Sequence, residues 1–163
     1  MQRRSLLQTA AALAAATLAP QLMAQPQTAV EVWKDPNCGC CQDWVVHLQA
    51  NGFAVKVNDT GNAKARERLR IPVALGSCHT AQVGGYAIEG HVPAADIRRM
   101  LKEKPKAVGL AVPGMPIGSP GMDGPMYGPR SDAYQVMLVL QDGNTRVFNS
   151  YPAKTNASKK ETT

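Results

Sequence analysis

The alternation of apolar and polar residues predicts a strand, a turn and a helix early in the chain. The run TAVEVWKD, residues 28–35, is rich in β-branched residues and partly alternates, which is typical of a half-buried strand. After the turn signal Pro36-Asn37, apolar residues recur at helical spacing as far as Asn51-Gly52, a pair that suits the left-handed backbone of a helix stop. These apolar residues are Cys41, Trp44, Val45 and Leu48. The pattern therefore predicts a β–α unit.

Four further patterns extend this alternation. The run FAVKVND, residues 53–59, predicts a second strand, and the polar run NAKARERLR, residues 62–70, predicts an exposed helix. The run TAQVGGYAIEGHV, residues 80–92, predicts two short strands joined by a Gly-Gly pair, which is a hairpin signal. Residues 93–105, PAADIRRMLKEKP, predict a helix with Pro93 in its first turn.

The order β-α-β-α-β-β-α is that of the thioredoxin-like plan, in which the turn between the first strand and its helix carries redox cysteines. Residues 109–130, GLAVPGMPIGSPGMDGPMYGPR, are so rich in Gly and Pro that they predict neither a helix nor a central strand. The segments YQVMLVL and TRVFNSY predict a final hairpin with Asp142-Gly143 in its turn. We therefore predict an α/β fold. A thioredoxin-like domain would span residues 25–108, and a Gly/Pro/Met-rich C-terminal extension ending in the β-hairpin would span residues 109–152.

The start of the chain has the composition of an export signal. Arg3 and Arg4 precede an apolar, alanine-rich run and a small residue at Ala24, where a signal peptidase could cut. The apolar run stops at Pro20, short of the roughly 20 residues that a membrane-spanning helix needs. RRSLLQ resembles a twin-arginine signal, but paired arginines also occur in Sec signals, so both export routes stay open. We expect residues 1–24 to be a signal peptide and the mature chain to be soluble in the periplasm.

The net charge of +6 lies mostly at the two ends of the chain. Two arginines belong to the predicted signal, and the lysine-rich tail AKTNASKKETT, residues 153–163, is predicted to be disordered. The charges between these ends are scattered, so the basic pI is poor evidence for nucleic-acid binding. We expect a monomer with no nucleic-acid partner and no membrane span.

Three of the four cysteines lie within the stretch DPNCGCCQDW. Cys38, Cys40 and Cys41 come at the predicted start of a helix, where unpaired backbone N–H groups and the helix dipole stabilise a thiolate. Cys38 and Cys41 form a C-x-x-C pair, whose spacing allows either a reversible disulfide or bidentate metal binding. Cys40 adds a third sulfur, which a purely structural disulfide framework does not need.

The fourth cysteine is followed by a histidine in GSCHTAQV. In a thioredoxin-like plan the segment that enters the third strand passes over the cysteine turn, and Cys78 and His79 occupy that segment. We therefore expect four sulfurs and one imidazole to converge. His47 lies nearly two helical turns beyond Cys41, on the order of 9 Å away along the axis, so we expect it to pack or to support the site. Capping or core hydrogen bonding explains His91 as well as ligation does.

The Gly/Pro-rich segment carries three methionines, Met115, Met122 and Met126. Thioethers and thiolates are soft ligands, which select Cu(I) over Mg, Ca or Mn. Methionine also fills gaps in protein cores. That role suits Met100 and Met137, which lie in apolar elements, better than it suits the loop methionines. We predict that the loop supplies at least one thioether ligand, with Met115 and Met122 as the candidates.

These blocks resemble the CopG-type family of periplasmic copper-resistance proteins. The resemblance rests on CGCCQDWVVHLQANGF with its C-x-C-C motif, on SCHTAQVGGYAIEGHVPAADI and on GLAVPGMPIGSPGMDG. It implies a thioredoxin-like domain with a metal-binding extension, and more than one copper ion held by bridging cysteine sulfurs. It also implies a role in interconverting Cu(I) and Cu(II), or in passing copper to a periplasmic exporter or chaperone. The implied ligands are Cys38, Cys40, Cys41, Cys78 and His79, with Met115 and Met122 as further candidates.

Three functions remain open for the cysteine site. We favour a copper-binding protein of copper resistance, because metal-bound thiolates are protected from oxidation in an oxidising compartment. A metal-free thiol–disulfide oxidoreductase would use Cys38 and Cys41 but would need neither Cys40 nor the methionines. A structural zinc site prefers spaced C-x-x-C pairs and has no use for methionine. The sequence carries no Ser-His-Asp arrangement, phosphate loop or dinucleotide fingerprint.

Overall fold

The computed structural model describes residues 27–154, so the predicted signal peptide and most of the predicted tail lie outside the described residues. Within that range the chain forms strands, three α-helices and two short 3-10 helices. In chain order the strands and α-helices are β1 Thr28–Lys34, α1 Gly39–Ala50, β2 Phe53–Asn58, α2 Ala63–Arg68, β3 His79–Val83, β4 Tyr86–Glu89, α3 Ala94–Glu103, β5 Gly109–Ala111, β6 Tyr134–Val139 and β7 Thr145–Tyr151. The 3-10 helices are Val73–Leu75 and Pro125–Tyr127. None of the helices in this range is long and apolar enough to cross a lipid bilayer.

The elements predicted from the apolar pattern up to residue 105 are all present. Helix α1 ends at the predicted stop: the Asn51 N–H bonds to the last carbonyls of the helix, and Gly52 has a φ of 76°. The final hairpin is also present, with β6 and β7 paired antiparallel. Pro93 is the N-cap of α3 and stands just outside the first turn in which the sequence predicts it.

Seven strands form one sheet in the order β2-β1-β3-β4-β5-β6-β7, which confirms the α/β class. The pairs β1–β2 and β4–β5 are parallel, and the other neighbouring pairs are antiparallel. Parallel neighbours need a crossover connection, and α1 provides it between β1 and β2. Strand β3 runs back along β1, so that His79 at its start pairs with Lys34 at the end of β1. This register brings the start of β3 next to the turn that leads into α1.

The Gly/Pro-rich segment contains a central strand, so the prediction that it forms none is wrong. Strand β5 lies between β4 and β6, and all of its residues are buried. The strand ends before Pro113, so the prolines of the segment do not interrupt its hydrogen bonds. A Cβ at Gly109 would lie 1.7 Å from the carbonyl oxygen of Ala87. Glycine usually weakens a strand because of its conformational freedom. At this position it is required, because the backbone of β4 lies too close for any side chain.

The main core lies on one face of the sheet and includes residues of α1 and α3. Its large, fully buried side chains include Trp44, Leu48, Ile88, Ile97, Met100, Leu110 and Leu138. A smaller cluster covers the other face: Ile71, Ala87, Val108, Ala111 and Val139. Successive residues of a strand, such as Ala87 and Ile88, belong to different clusters because their side chains point to opposite faces. Burial of each large apolar side chain contributes about 1.5–3 kcal/mol. This packing holds α1, and with it the cysteine turn, against the sheet.

Candidate metal centre

The turn between β1 and α1 places three cysteines at the amino end of a helix. Asp35 organises this turn: its carboxylate accepts the Asn37 N–H at 2.8 Å, and its carbonyl accepts the Cys38 N–H at 3.1 Å. Cys38 is the N-cap of α1, and Cys40 and Cys41 follow in its first turn. The predicted position of the three cysteines at a helix start, where negative charge is stabilised, is confirmed.

Cys78 meets this triplet, as the sequence predicts. Its Sγ lies 3.9 Å from Cys40 Sγ, and Cys40 Sγ lies 3.5 Å from Cys38 Sγ. Cys41 Sγ lies 3.6 Å from the carbonyl oxygen of Cys78. The four sulfurs all fall within 4.8 Å of one another, close enough for a single metal centre to use all of them.

Two of the four sulfurs are joined to each other. Cys38 and Cys41 form a disulfide, and Cys40 and Cys78 are free thiols. The C-x-x-C pair therefore adopts the disulfide that its spacing allows. The thiolate is the form of cysteine that binds metal. All four cysteines can serve as thiolate ligands only after two electrons have reduced this bond.

His91 also faces Cys78, with Nε2 3.1 Å from Cys78 Sγ. Its other ring nitrogen, Nδ1, lies 2.8 Å from the carbonyl oxygen of Pro120. A carbonyl oxygen can only accept a hydrogen bond, so Nδ1 carries the proton and Nε2 presents its lone pair towards the sulfur. In metal-binding histidines a hydrogen bond of this kind commonly orients the ring. The sequence left ligation by His91 open beside capping and core hydrogen bonding, and it did not predict this contact with Cys78.

The β3–β4 hairpin explains why His79 and His91 reach the same place. Thr80 pairs with Glu89 across the hairpin, so the residues just beyond this pair emerge at one end. That end is the one that faces the cysteine turn. The hairpin register, counted from the Gly-Gly turn in the sequence, places His79 and His91 at the same end of the two strands. This register is the sequence signal that could have identified His91 as a site residue.

His79 is fully buried, with its ring centroid 4.3 Å from that of Trp44 and 4.9 Å from that of His91. Its Nδ1 lies 3.5 Å from Cys78 Sγ, while its Nε2 has no hydrogen-bond partner among residues 27–154. An unpaired buried polar atom is costly. The His79 nitrogen that faces the sulfur is Nδ1, so Nδ1 is the atom positioned to bind a metal ion held by Cys78. Burial lowers the pKa of His91, and it holds the pKa of His79 well below its usual range. Both rings are therefore neutral, which is the form that binds metal.

Cys78 keeps its proton in the absence of metal. Burial, followed by repulsion from Cys40, raises the pKa of its thiol to about 12. A metal ion that binds this sulfur must displace the proton, so metal binding and proton release are coupled. The donor set of sulfurs and neutral imidazoles suits a soft or borderline metal ion.

The C-terminal extension closes one side of the site. Gly121 packs against the start of α1, where a Cβ would lie 2.5 Å from Cys40 O and 2.8 Å from Trp44 N. Pro120, on one side of this glycine, accepts the hydrogen bond from His91. Met122, on the other side, is buried, with 8% of its surface exposed. Through residues 120–122 the extension therefore contacts both the cysteine turn, at Cys40, and the imidazole of His91.

The other two loop methionines are exposed, Met115 to 52% and Met126 to 81%. The Met115 loop is joined to the Cys78 segment, because the Ser77 hydroxyl donates a hydrogen bond to Gly114 O. Exposure excludes a core-packing role for Met115 and Met126, whereas burial leaves that role open for Met122. Ligation by Met115 or Met122 stays a prediction.

The chain is similar in sequence and structure to copper-resistance proteins. The solved structure "Copper resistance protein copG- Form 1" shares 48% identity at a TM-score of 0.71, covering 78% of this chain and 99% of that chain. The structure "Copper resistance protein copG- Form 2" shares 47% identity at a TM-score of 0.72, covering 78% and 100%. Residues 75–122, which include Cys78, His79 and His91, match the family described as "Protein of unknown function, DUF411". No curated protein matches the chain.

Proposed function

Since this chain belongs to the family of the copper-resistance protein CopG, we propose that it binds copper as part of a copper-resistance system. One observation carries the proposal: four cysteine sulfurs and two imidazoles meet in two donor groups that share Cys78. Thiolate sulfurs select Cu(I) over harder cations, and imidazole nitrogens also suit copper. Copper is the cargo or substrate of this site.

The proposed ligands come from three parts of the chain. They are the sulfurs of Cys38, Cys40, Cys41 and Cys78 and a ring nitrogen of His79, with the thioethers of Met115 and Met122 as further candidates. His91 Nε2 is added to this set because its lone pair faces Cys78 at 3.1 Å. Since Cys78 belongs to both donor groups, we propose that its sulfur bridges two ions. This sharing supports more than one copper ion per chain.

We also propose that the Cys38–Cys41 pair exchanges electrons with copper. When the two thiols join as a disulfide they release two electrons and two protons, and each electron reduces one Cu(II) to Cu(I). In the reverse direction two Cu(I) ions supply the two electrons that reopen the disulfide, which takes up two protons. The disulfide between these residues, beside the free thiols of Cys40 and Cys78, supports this cycle.

The fold supports the division of the chain that the sequence predicts. We propose that residues 25–108 form a thioredoxin-like domain and that residues 109–152 form its extension. The parallel β1–β2 pair crossed by α1, followed by the antiparallel β3–β4 hairpin and α3, supports the first assignment. The pairing of β5 with β4 supports an extension that continues the same sheet.

We propose that the protein acts in the periplasm as a monomer, after residues 1–24 have been removed. The basic start, the apolar run and the small residue at Ala24 support export. The similar solved structures are named as copper-resistance proteins, which supports a role in copper resistance. We propose a periplasmic exporter or copper chaperone as the partner.

A metal-free thiol–disulfide oxidoreductase is the second candidate function. The disulfide between Cys38 and Cys41 at the start of α1 favours it, because a helix start lowers the pKa of an attacking thiol. Disulfide exchange has no use for the imidazoles that face Cys78, or for the third and fourth sulfurs.

Copper loading distinguishes the two functions. We expect the reduced protein, incubated with Cu(I) and desalted, to retain more than one copper per chain, because the two donor groups share a sulfur. Cys40→Ser should retain much less, since Cys40 lies between Cys38 and Cys78. Metal analysis by mass spectrometry measures both.

Insulin reduction is the matching assay for the second function. An oxidoreductase would keep this activity in Cys40→Ser and lose it in Cys38→Ser. A wild-type chain that reduces insulin but retains no copper would overturn the copper proposal.

A further inference from the structure

We propose that the buried ion pair of Glu89 and Arg66 positions Cys78 in the metal centre. Both residues act through the backbone of Ser77, the residue before Cys78. As far as it concerns copper, this inference rests on the proposed function. Its effect on the Cys78 thiol can be measured without any metal.

Glu89 ends strand β4, and its side chain is fully buried. One carboxylate oxygen, Oε1, accepts the Ser77 N–H at 2.7 Å and the Arg66 Nε–H at 2.9 Å. The other, Oε2, accepts the Thr80 hydroxyl at 2.6 Å. Each of these neighbours donates to the carboxylate, as the acceptor-only ionised form requires.

The carbonyl of Ser77 is held as well. It accepts hydrogen bonds from the Arg66 guanidinium and from the Asn62 side chain, the latter at 3.2 Å. The Ser77 N–H and C=O are therefore both bonded to side chains. Strand β3 begins only at His79, so the sheet does not hold the backbone of Ser77 and Cys78. The polar network replaces the missing strand pairing.

The location of the network explains why a buried charge pair is kept there. Taking two charges out of water costs free energy that a well-packed apolar pair would not incur. An apolar pair could not bond both backbone groups of Ser77. These bonds fix the backbone just before Cys78. The Cys78 Sγ lies 3.9 Å from Cys40 Sγ and 3.1 Å from His91 Nε2. Ser77 also packs on Gly90, where a Cβ would lie 2.6 Å from the serine side chain.

Substitution of Glu89 should therefore change the behaviour of Cys78. Glu89→Ala leaves the Ser77 N–H without its acceptor and Arg66 without its counter-ion, which frees the segment. With the Cys38–Cys41 disulfide intact, Cys40 and Cys78 are the free thiols of the chain, so their reactivities can be compared within one molecule. We expect iodoacetamide to alkylate Cys78 about tenfold faster in Glu89→Ala than in the wild type, relative to Cys40.

Two variants show whether the faster alkylation comes from a change in the position of Cys78 or from a general loss of protein stability. Glu89→Gln keeps an oxygen for the Ser77 N–H but removes the counter-ion of Arg66, so its rate should fall between those of the wild type and Glu89→Ala. Asp96→Ala removes another buried carboxylate, which accepts hydrogen bonds from Asn149 at 2.8 Å and Tyr151 at 2.7 Å between α3 and β7. It should lower the melting temperature as Glu89→Ala does, with the alkylation of Cys78 unchanged.

A milder variant covers the case in which Glu89→Ala does not fold. Asn62→Ala removes the bond to the Ser77 carbonyl and leaves the ion pair in place, so Cys78 should react about threefold faster. In the reduced protein, Glu89→Ala should also weaken Cu(I) binding about tenfold. It should add little further loss in a Cys78→Ser background, because the effect passes through that sulfur.

The outcomes separate this inference from the proposed function. Faster alkylation of Cys78 together with weaker Cu(I) binding in Glu89→Ala supports both. If Glu89→Ala matches Asp96→Ala, with a lower melting temperature and an unchanged Cys78, Glu89 is only structural and the inference is overturned. If the wild type binds no copper but Cys78 responds as expected, the positioning role stands and the copper function fails.

Discussion

Cys78 is the residue on which both donor groups depend. Its sulfur is within 4.8 Å of the cysteines on one side and of His79 and His91 on the other. Loss of Cys38 removes a donor from one group, whereas loss of Cys78 removes a donor from both. Because burial keeps its thiol protonated, a metal ion that binds this sulfur must also displace its proton.

The raised pKa of Cys78 predicts how the metal-free site responds to pH. Its value is about 12, compared with 9.0 for an unperturbed cysteine, so the thiol stays protonated at neutral pH. Since the thiolate is the nucleophile, alkylation of Cys78 should be slow at neutral pH and should accelerate as the pH rises towards 12. Timed iodoacetamide labelling followed by peptide mass spectrometry measures this. In urea the same thiol should titrate near its ordinary value, and identical pH profiles in the two states would refute the burial effect.

His91 and His47 make a matched pair of substitutions. His91 Nε2 faces Cys78 Sγ, whereas His47 Nε2 accepts the Ala94 N–H at 3.1 Å and so links α1 to α3. We expect His91→Ala to weaken Cu(I) binding by at least about 10- to 100-fold, the range found when hydrogen-bond partners of metal ligands are removed. Competition with a Cu(I) chelator measures the affinity. His47→Ala should cost some stability and leave the affinity unchanged, and equal losses in both variants would exclude the role given to His91.

At the scale of the element, the donor set is divided between a helix start and a hairpin. Helix α1 supplies three sulfurs in its cap and first turn, and the β3–β4 hairpin carries Cys78, His79 and His91 at one end. The sequence predicted both elements because their apolar periods and turn residues are local. It also predicted that Cys78 meets the triplet, since a β-α-β unit followed by a hairpin limits where the third strand can run.

Strand β5 was not predicted, and the reason is its length. A strand of three residues is too short to show an apolar period, and the prolines that follow it dominate the composition. It is buried because β4 and β6 lie on either side of it. Those neighbours come from parts of the chain before and after it, so local composition contains no sign of them.

Gly109→Ala tests the close approach of the β5 backbone to the backbone of β4. A Cβ there would lie 1.7 Å from Ala87 O, so β4 and β5 would have to separate. We expect the free energy of unfolding to fall by about 3 kcal/mol, as in overpacked cores. Urea denaturation followed by circular dichroism measures the change. Gly124→Ala is the control, since nothing lies within 4 Å of a Cβ at that position, and a comparable loss there would contradict the contact at Gly109.

At the scale of the whole molecule, the candidate metal centre joins three distant parts of the chain. The extension is attached to the sheet through β5 and packs on the start of α1 through Gly121. Between these two attachments, Pro120 orients His91. The site is therefore completed only when residues 38–41, 78–91 and 120–122 have folded together.

The redox state of the whole site follows from the same arrangement. With Cys38 and Cys41 joined, the centre offers the thiols of Cys40 and Cys78 beside two neutral imidazoles. With the disulfide reduced, it offers four thiols. In the copper function that we propose, the number of thiol sulfurs offered to the metal would therefore depend on two electrons.

The sequence by itself determined the kind of chemistry and most of the elements. The motifs also identified the copper-resistance family, which the solved structures at 48% and 47% identity confirm. Cysteine spacing, helix-start signals and apolar periods are local properties, so they can be recognised before the chain is folded. Only the tertiary structure decided that Cys38 bonds to Cys41, that His91 faces Cys78, that β5 is central and that Glu89 holds Ser77. Each of these depends on strand register or on contacts between segments far apart in the chain, and the local pattern of residues does not contain that information.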